Sequence, residues 1–143
     1  MTTVLDQLRG ILKAHNVSVT SARTAVFSTL HRADQPLKNG EIVQLTPTVD
    51  RASVYRTLEL FSSLGITETT IRGWTPFTEL SEPFKPHHHH LICEGCGHVE
   101  GIENETLEDV LQLIASRHQF TLEKHLVELT GLCVRCHATP QAA

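Results

Sequence analysis

The chain has 143 residues, 40% of them hydrophobic and 20% charged, a balance that suits one ordinary domain or two small ones and excludes a disordered tail. No apolar run approaches the eighteen or so residues of a membrane span, and Met1 to Gly10 carry Asp6 where a secretory signal needs an apolar stretch, so the expected compartment is the cytoplasm. The net charge of -4 argues against tight nucleic-acid binding by a lone subunit, because affinity for DNA rests largely on neutralised phosphates.

In chain order, Val4, Leu5, Leu8, Ile11 and Leu12 recur at helical spacing, and Val26, Phe27 and Leu30 do so after Thr20, a good N-cap. A short helix around Glu41 to Leu45 ends before Pro47. Asp50 to Leu64 places Val54, Leu58 and Phe61 on one stripe and closes with Gly65 as a C-terminal cap. Ile66 to Ile71 and Trp74 to Leu80, around Arg72-Gly73, read as a two-stranded hairpin. Helices followed by a hairpin are the layout of a winged helix-turn-helix. The first turns of the Asp50 to Leu64 helix offer Arg51, Ser53, Tyr55, Arg56 and Thr57, which supply cations for phosphates, hydroxyls, and a ring able to touch a thymine methyl.

Residues 1–83 hold 8 Lys+Arg against 8 Asp+Glu, whereas residues 84–143 hold 4 against 8, with eight of the ten histidines and all four cysteines. The boundary is placed at Pro83 to Pro86, giving domains 1–83 and 84–143. In the second, Cys93-x-x-Cys96 and Cys133-x-x-Cys136 together supply the four sulfurs of a closed zinc site, which leaves no position open for catalysis. The 36 residues between the knuckles require a folded element to join them, and Glu105 to Arg117, apolar at Leu107, Val110, Leu111 and Ile114, supplies a helix. His87-His88-His89-His90 runs straight into Leu91-Ile92-Cys93. Strand alternation sends His87 and His89 to one side and His88 and His90 to the other, enough for two metal sites in which Glu79 and Glu108 complete an N/O environment.

From Val19 to Cys136 these residues resemble the Fur (ferric uptake regulator) metalloregulators. The resemblance is carried by Thr20-x-x-Arg23, Ser53-Val54-Tyr55-Arg56-Thr57-Leu58, Leu64-Gly65-Ile66, Phe77-Thr78-Glu79-Leu80, the histidine run with its knuckle, Phe120, His125, Gly131 and the second knuckle. It implies an α+β chain with an amino-terminal winged helix-turn-helix domain followed by a small α/β dimerisation domain with a four-cysteine zinc site. It also implies a homodimer that represses or otherwise regulates metal-uptake or stress genes when loaded with metal, through an operator of double-stranded DNA read as an AT-rich inverted repeat.

Carried over by position, Cys93, Cys96, Cys133 and Cys136 match the family's structural zinc ligands, and Glu79, His88 and His90 its regulatory ligands. His87, His89, Glu108 and His125 match a further site, with His89 where many members have Asp. The DNA-contacting set becomes Arg23, Arg51, Ser53, Tyr55, Arg56 and Thr57. The sequence departs from the family pattern at Pro36, where a regulatory histidine is usual, at Gly101, where an acidic residue is common, and at Ser18, where a basic one is. The expected cofactors are structural Zn2+ and a second divalent metal, Zn2+, Fe2+ or Mn2+, with zinc preferred for the histidine run. Neither membrane nor small-molecule substrate is expected. The enzymatic rival is a zinc deaminase, for which His98-Val99-Glu100 imitates the H-x-E element and Cys133-x-x-Cys136 the paired thiolates.

Overall fold

Helix α1 (Val4–Ala14) begins where Thr3 and Asp6 cap each other: the Thr3 hydroxyl accepts from Asp6 N at 3.2 Å, and the Asp6 carboxylate accepts from Thr3 N at 3.1 Å. Thr20 starts α2 (Ser21–Arg32) with its hydroxyl alone, which accepts from Arg23 N at 3.3 Å, and Asp50 starts α4 (Arg51–Ser63) by accepting from Ser53 N at 3.0 Å. Between them lie β1 (Leu37–Lys38) and α3 (Asn39–Leu45), the latter beginning earlier than its apolar residues announce. Helix α4 ends in a paired cap. Gly65, at φ +67°, donates to Ser62 O at 3.1 Å, while Ile66 N reaches back to Phe61 O at 2.8 Å, and Ile66 is fully buried beneath the turn. These residues belong to the computed structural model of the chain, which describes residues 3–138.

The chain then forms the hairpin β2 (Thr67–Arg72) and β3 (Thr75–Leu80), joined by the two-residue loop Gly73-Trp74. Strand β1 adds to β3, so the sheet order is β1-β3-β2, and the winged helix-turn-helix is complete. Its core gathers Leu8, Leu12, Val26, Phe27, Leu30, Ile42, Val54, Phe61 and Leu80. Phe27 is central: its ring meets Phe84 edge-on at 4.9 Å and Phe61 at 6.5 Å. Phe27→Ala is expected to cost about 3–5 kcal/mol of this unit's stability, read by urea unfolding, since it leaves a cavity that rigid helices cannot close.

The two compact units divide after Pro86, at the far end of the Pro83 to Pro86 segment. The reason is Phe84, which is buried against Phe27, and Lys85, whose Nζ donates to Ala33 O at 2.9 Å at the end of α2. The segment is thereby fastened to the first unit.

In the second unit, β4 (His89–Cys93) pairs antiparallel with β5 (Val99–Ile102) and parallel with β6 (Glu128–Gly131). Parallel neighbours need a crossover, and α5 (Glu105–Arg117), capped by Asn104, provides it. A short α6 (Val134–Ala138) ends the described chain. Helix α5 has no buried residue: Leu107 and Leu111 are half-buried, while Val110, Leu113 and Ile114 face solvent. Among the described residues no helix is long and apolar enough to cross a membrane.

Candidate metal centres and nucleic-acid interface

Parallel pairing of β4 with β6 is what unites the knuckles. Cys93 lies opposite Gly131, so both strands deliver their cysteines at the same end of the sheet. The four sulfurs of Cys93, Cys96, Cys133 and Cys136 lie within 4.8 Å of one another. A zinc tetrahedron with bonds of about 2.3 Å has edges of about 3.8 Å, and the Cys96 and Cys133 sulfurs are 3.8 Å apart. Four thiols at that spacing, with no disulfide, fit a closed structural zinc ion. Gly95 makes the approach possible: a Cβ there would come within 2.9 Å of Cys136 Cβ.

The donors are not equivalent before metal arrives. Backbone N–H groups of Cys133 and Cys96 point at Cys93 and bring its thiol down to about 6, the first of them at 3.3 Å from the sulfur. The N–H of Cys136 likewise lowers Cys133. Cys136 is pushed up to about 12 by the neighbouring sulfurs of Cys133, Cys93 and Cys96, because several thiolates cannot gather without a cation.

Strand β4 and the segment before it also carry the histidines. His87, His89 and His125 converge with Glu108 of α5, their ligand atoms within 4.8 Å of one another. His89 Nε2 is 2.6 Å from Glu108 Oε1, His125 Nε2 is 3.1 Å from Oε2, and the Nε2 atoms of His87 and His125 are 2.8 Å apart. The His89 hydrogen bond, before the charges of His125 and His87, holds the Glu108 carboxyl below its usual range. That stabilisation is present above the ordinary carboxylate pKa and is lost as acid protonates Glu108. Three imidazoles and one carboxylate fit a four-coordinate zinc ion as a donor set.

On the other face of β4, the His88 and His90 rings sit 4.9 Å apart. His90 is buried and lies opposite Glu128, whose carboxylate is 4.0 Å from its Nδ1. Sequence reasoning missed Glu128, because only the β4–β6 pairing brings it there. A Cβ on Gly101 would stand 3.2 Å from the His88 ring, so histidine fills the space an acidic side chain at that position would need. Glu79 belongs to the first unit, where it is buried on β3 in register with Glu68 of β2, two carboxylates on one sheet face.

Helix α4 exposes Arg51, Tyr55 and Arg56, with Ser53 half-buried. Arg56 Nη2 donates to Ser53 Oγ at 3.2 Å. Thr57 departs from expectation: at 4% exposure it joins Val54, Leu58 and Phe61 on the core-facing stripe and cannot touch a duplex. A helix residue three after an apolar one falls on the same stripe, and Thr57 stands three after Val54. Arg23 donates to the Ser18 side chain at 2.9 Å, folded back over the start of α2.

The deaminase rival does not survive this geometry. It leaves Cys93 and Cys96 without a task, whereas all four sulfurs form one cluster, and His98 lies exposed in the loop between β4 and β5.

Comparison with known proteins agrees. The profile of the ferric uptake regulator family matches residues 14–130. A ferric uptake regulation protein of Campylobacter upsaliensis is 34% identical over 141 residues, covering 94% of this chain and 89% of that one. The crystal structure of the Vibrio cholerae ferric uptake regulator superposes with a TM-score of 0.73 at 26% identity, over 88% of this chain and 99% of that one. A zinc uptake regulator solved with zinc and DNA superposes at 0.62 and 25% identity, over 94% and 93%. With a winged helix, a four-cysteine cluster and a histidine-rich sheet in one order along the sequence, the chain belongs to the ferric uptake regulator family, whose members are metal-responsive transcription regulators and not enzymes.

Proposed function

We propose that this protein is a cytoplasmic repressor of metal-uptake or metal-homeostasis genes, that it binds an AT-rich inverted repeat as a metal-loaded homodimer, and that the metal it senses is zinc. The observation that carries the reading is the donor chemistry: four thiols, then three imidazoles converging on Glu108, both sets suited to a four-coordinate borderline ion. Structural zinc is held by Cys93, Cys96, Cys133 and Cys136. Regulatory metal is taken by His88 and His90 with Glu79, and the His87, His89, Glu108 and His125 set forms an additional site. Carboxylates at Glu68, beside Glu79, and at Glu128, beside His90, are harder donors and favour the alternative reading, an iron- or manganese-responsive regulator.

Dimerisation is supported by what the second unit leaves uncovered. Val110, Leu113 and Ile114 of α5 are exposed at helical spacing, and Phe120 and Leu126 in the loop that follows are exposed as well, large apolar side chains that a partner surface would cover. A second copy covers them and doubles the DNA contacts, which a subunit of net charge -4 needs.

DNA is read by α4. Arg56→Ala should weaken binding to all duplexes by roughly tenfold, the scale of one lost charge-assisted contact, while Tyr55→Phe, which removes only a hydroxyl, should cost less. Equal affinity of wild type and Arg56→Ala across a salt series would remove α4 from the role. The sensed metal is tested by titrating the zinc-loaded dimer with buffered zinc, ferrous iron or manganese and following DNA binding by fluorescence anisotropy. Zinc should produce the largest gain at the lowest free-ion concentration. A larger gain with manganese or ferrous iron would hand the role to the alternative.

A further inference from the structure

Arg51 is the first residue of α4 and Tyr55 follows one turn later, so their side chains share one flank of the helix. The guanidinium carbon of Arg51 lies 5.5 Å from the centre of the Tyr55 ring, and its Nη2 is 3.5 Å from the phenol oxygen. Both residues are exposed, beside the small Ala52. Arg56 is presented differently. Its Nη2 donates to Ser53 Oγ at 3.2 Å on the opposite flank, so its guanidinium is tied to a hydroxyl and not laid against a ring.

The difference matters for what each arginine can recognise. A phosphate accepts hydrogen bonds from many directions, so a mobile cation serves it well. The O6 and N7 atoms of guanine lie in one plane at a fixed separation, and they match the planar donor fork of a guanidinium whose orientation is already set. Laying Arg51 against Tyr55 removes much of its rotamer freedom before DNA arrives, while the ring can meet the methyl group of a neighbouring thymine. Helix-turn-helix readers contact base edges with the first residues of the recognition helix, which is where Arg51 stands.

We propose that Arg51 is a specificity-determining residue that reads one guanine in each half-site, adjacent to a thymine touched by Tyr55. The proposal rests on α4 being the helix that enters the major groove. Other contacts in an AT-rich site then come from groups that discriminate less, and the guanine fixes the register of the half-site.

The test starts from duplexes selected out of a random library by the full-length, metal-loaded protein. Affinities are measured for wild type, Arg51→Ala, Arg51→Lys and Arg56→Ala on the selected duplex and on the same duplex with 7-deazaguanine, which lacks the N7 acceptor, at the fixed guanine. Wild type should lose about tenfold on the modified duplex. Arg51→Ala should lose a similar factor on the natural duplex and nothing further on the modified one, the signature of two changes to one contact. Arg51→Lys should keep its affinity for unrelated duplexes yet lose preference for the guanine. Selection without a fixed guanine, or Arg51→Ala losses that are equal on all duplexes and multiply with the 7-deaza change, would make Arg51 a phosphate contact and overturn the proposal while α4 remains the reader. If neither Arg51→Ala nor Arg56→Ala alters affinity, α4 is not the reading helix, and the proposal falls with that assignment.

Discussion

Cys93→Ser is expected to abolish tight zinc binding and to leave the second unit unfolded or monomeric, while the winged-helix unit keeps its helical signal. The second unit has little else to hold it: α5 buries no side chain fully, and the sheet has only three strands. A structural zinc site contributes on the order of 10–16 kcal/mol to the folding of small zinc modules, as much as the whole stability of an ordinary domain, about 5–15 kcal/mol. Removing one of four ligands therefore removes more than the remaining contacts supply. Elemental analysis should find one tightly held zinc per wild-type subunit and none in the variant, with gel filtration reporting loss of the dimer. Wild-type protein that is folded, dimeric and zinc-free would contradict the assignment.

The same site predicts a pH dependence with a definite sign. Cys93, brought down to about 6, is largely a thiolate at neutral pH, but Cys136, pushed up to about 12, is still protonated and must release its proton to the solvent when zinc binds. Apparent zinc affinity should consequently rise with pH between about 6 and 8, and calorimetry in buffers of different ionisation enthalpy should show protons released.

Most of the first unit is written in local signals. Thr20 and Asp50 are side chains that start a helix by satisfying its first N–H groups, and Gly65 takes a backbone angle other residues resist, so the start of α2 and both ends of α4 could be read from the chain alone. The winged-helix layout followed from the hairpin after them. What stayed hidden depends on distant partners. The two-residue β1 is a strand only because β3 runs beside it, and β6 exists by virtue of β4. Thr57 has a polar side chain and reads as a surface contact until the packing of α4 turns it inward. Phe84 shows the same limit from the other side, since prolines on both flanks mark a linker and only the pocket beside Phe27 reveals an anchor.

The candidate metal ligands divide along the same line. Cysteine pairs separated by two residues announce a knuckle whatever the fold, and strand alternation alone separated His87 and His89 from His88 and His90. Glu108 was named from the donor chemistry that the histidine run calls for, whereas His125 needed the family resemblance, because no local spacing ties a loop imidazole to a strand. Glu128 had no signal of either kind and is seen only through the parallel register with His90.

The paired variants His88→Ala with His90→Ala should retain structural zinc, fold and dimer, yet lose the metal-induced gain in DNA affinity. On the proposed assignment His88 and His90 come from the second unit and Glu79 from the first, so an ion bound by all three would favour one arrangement of the reading helices over others. Moving such an equilibrium from 1:99 to 99:1 takes about 5.5 kcal/mol of preference for the favoured state. One exposed ion pair, worth about 0–1 kcal/mol, cannot provide that, whereas several metal bonds formed in one state only can. His87→Ala with His89→Ala opens the other face of β4. There Glu108 loses the hydrogen bond that lowers its pKa, but the ligands that remain, Glu108 and His125, both lie in the second unit, so the effect on DNA affinity should be smaller. Anisotropy titrations of wild type and both double variants with zinc, ferrous iron and manganese separate the two sites. A metal response unchanged in the His88 and His90 variant but lost in the His87 and His89 variant would transfer the sensing role to the histidines that converge on Glu108, and the switch would then act through the dimerisation domain itself.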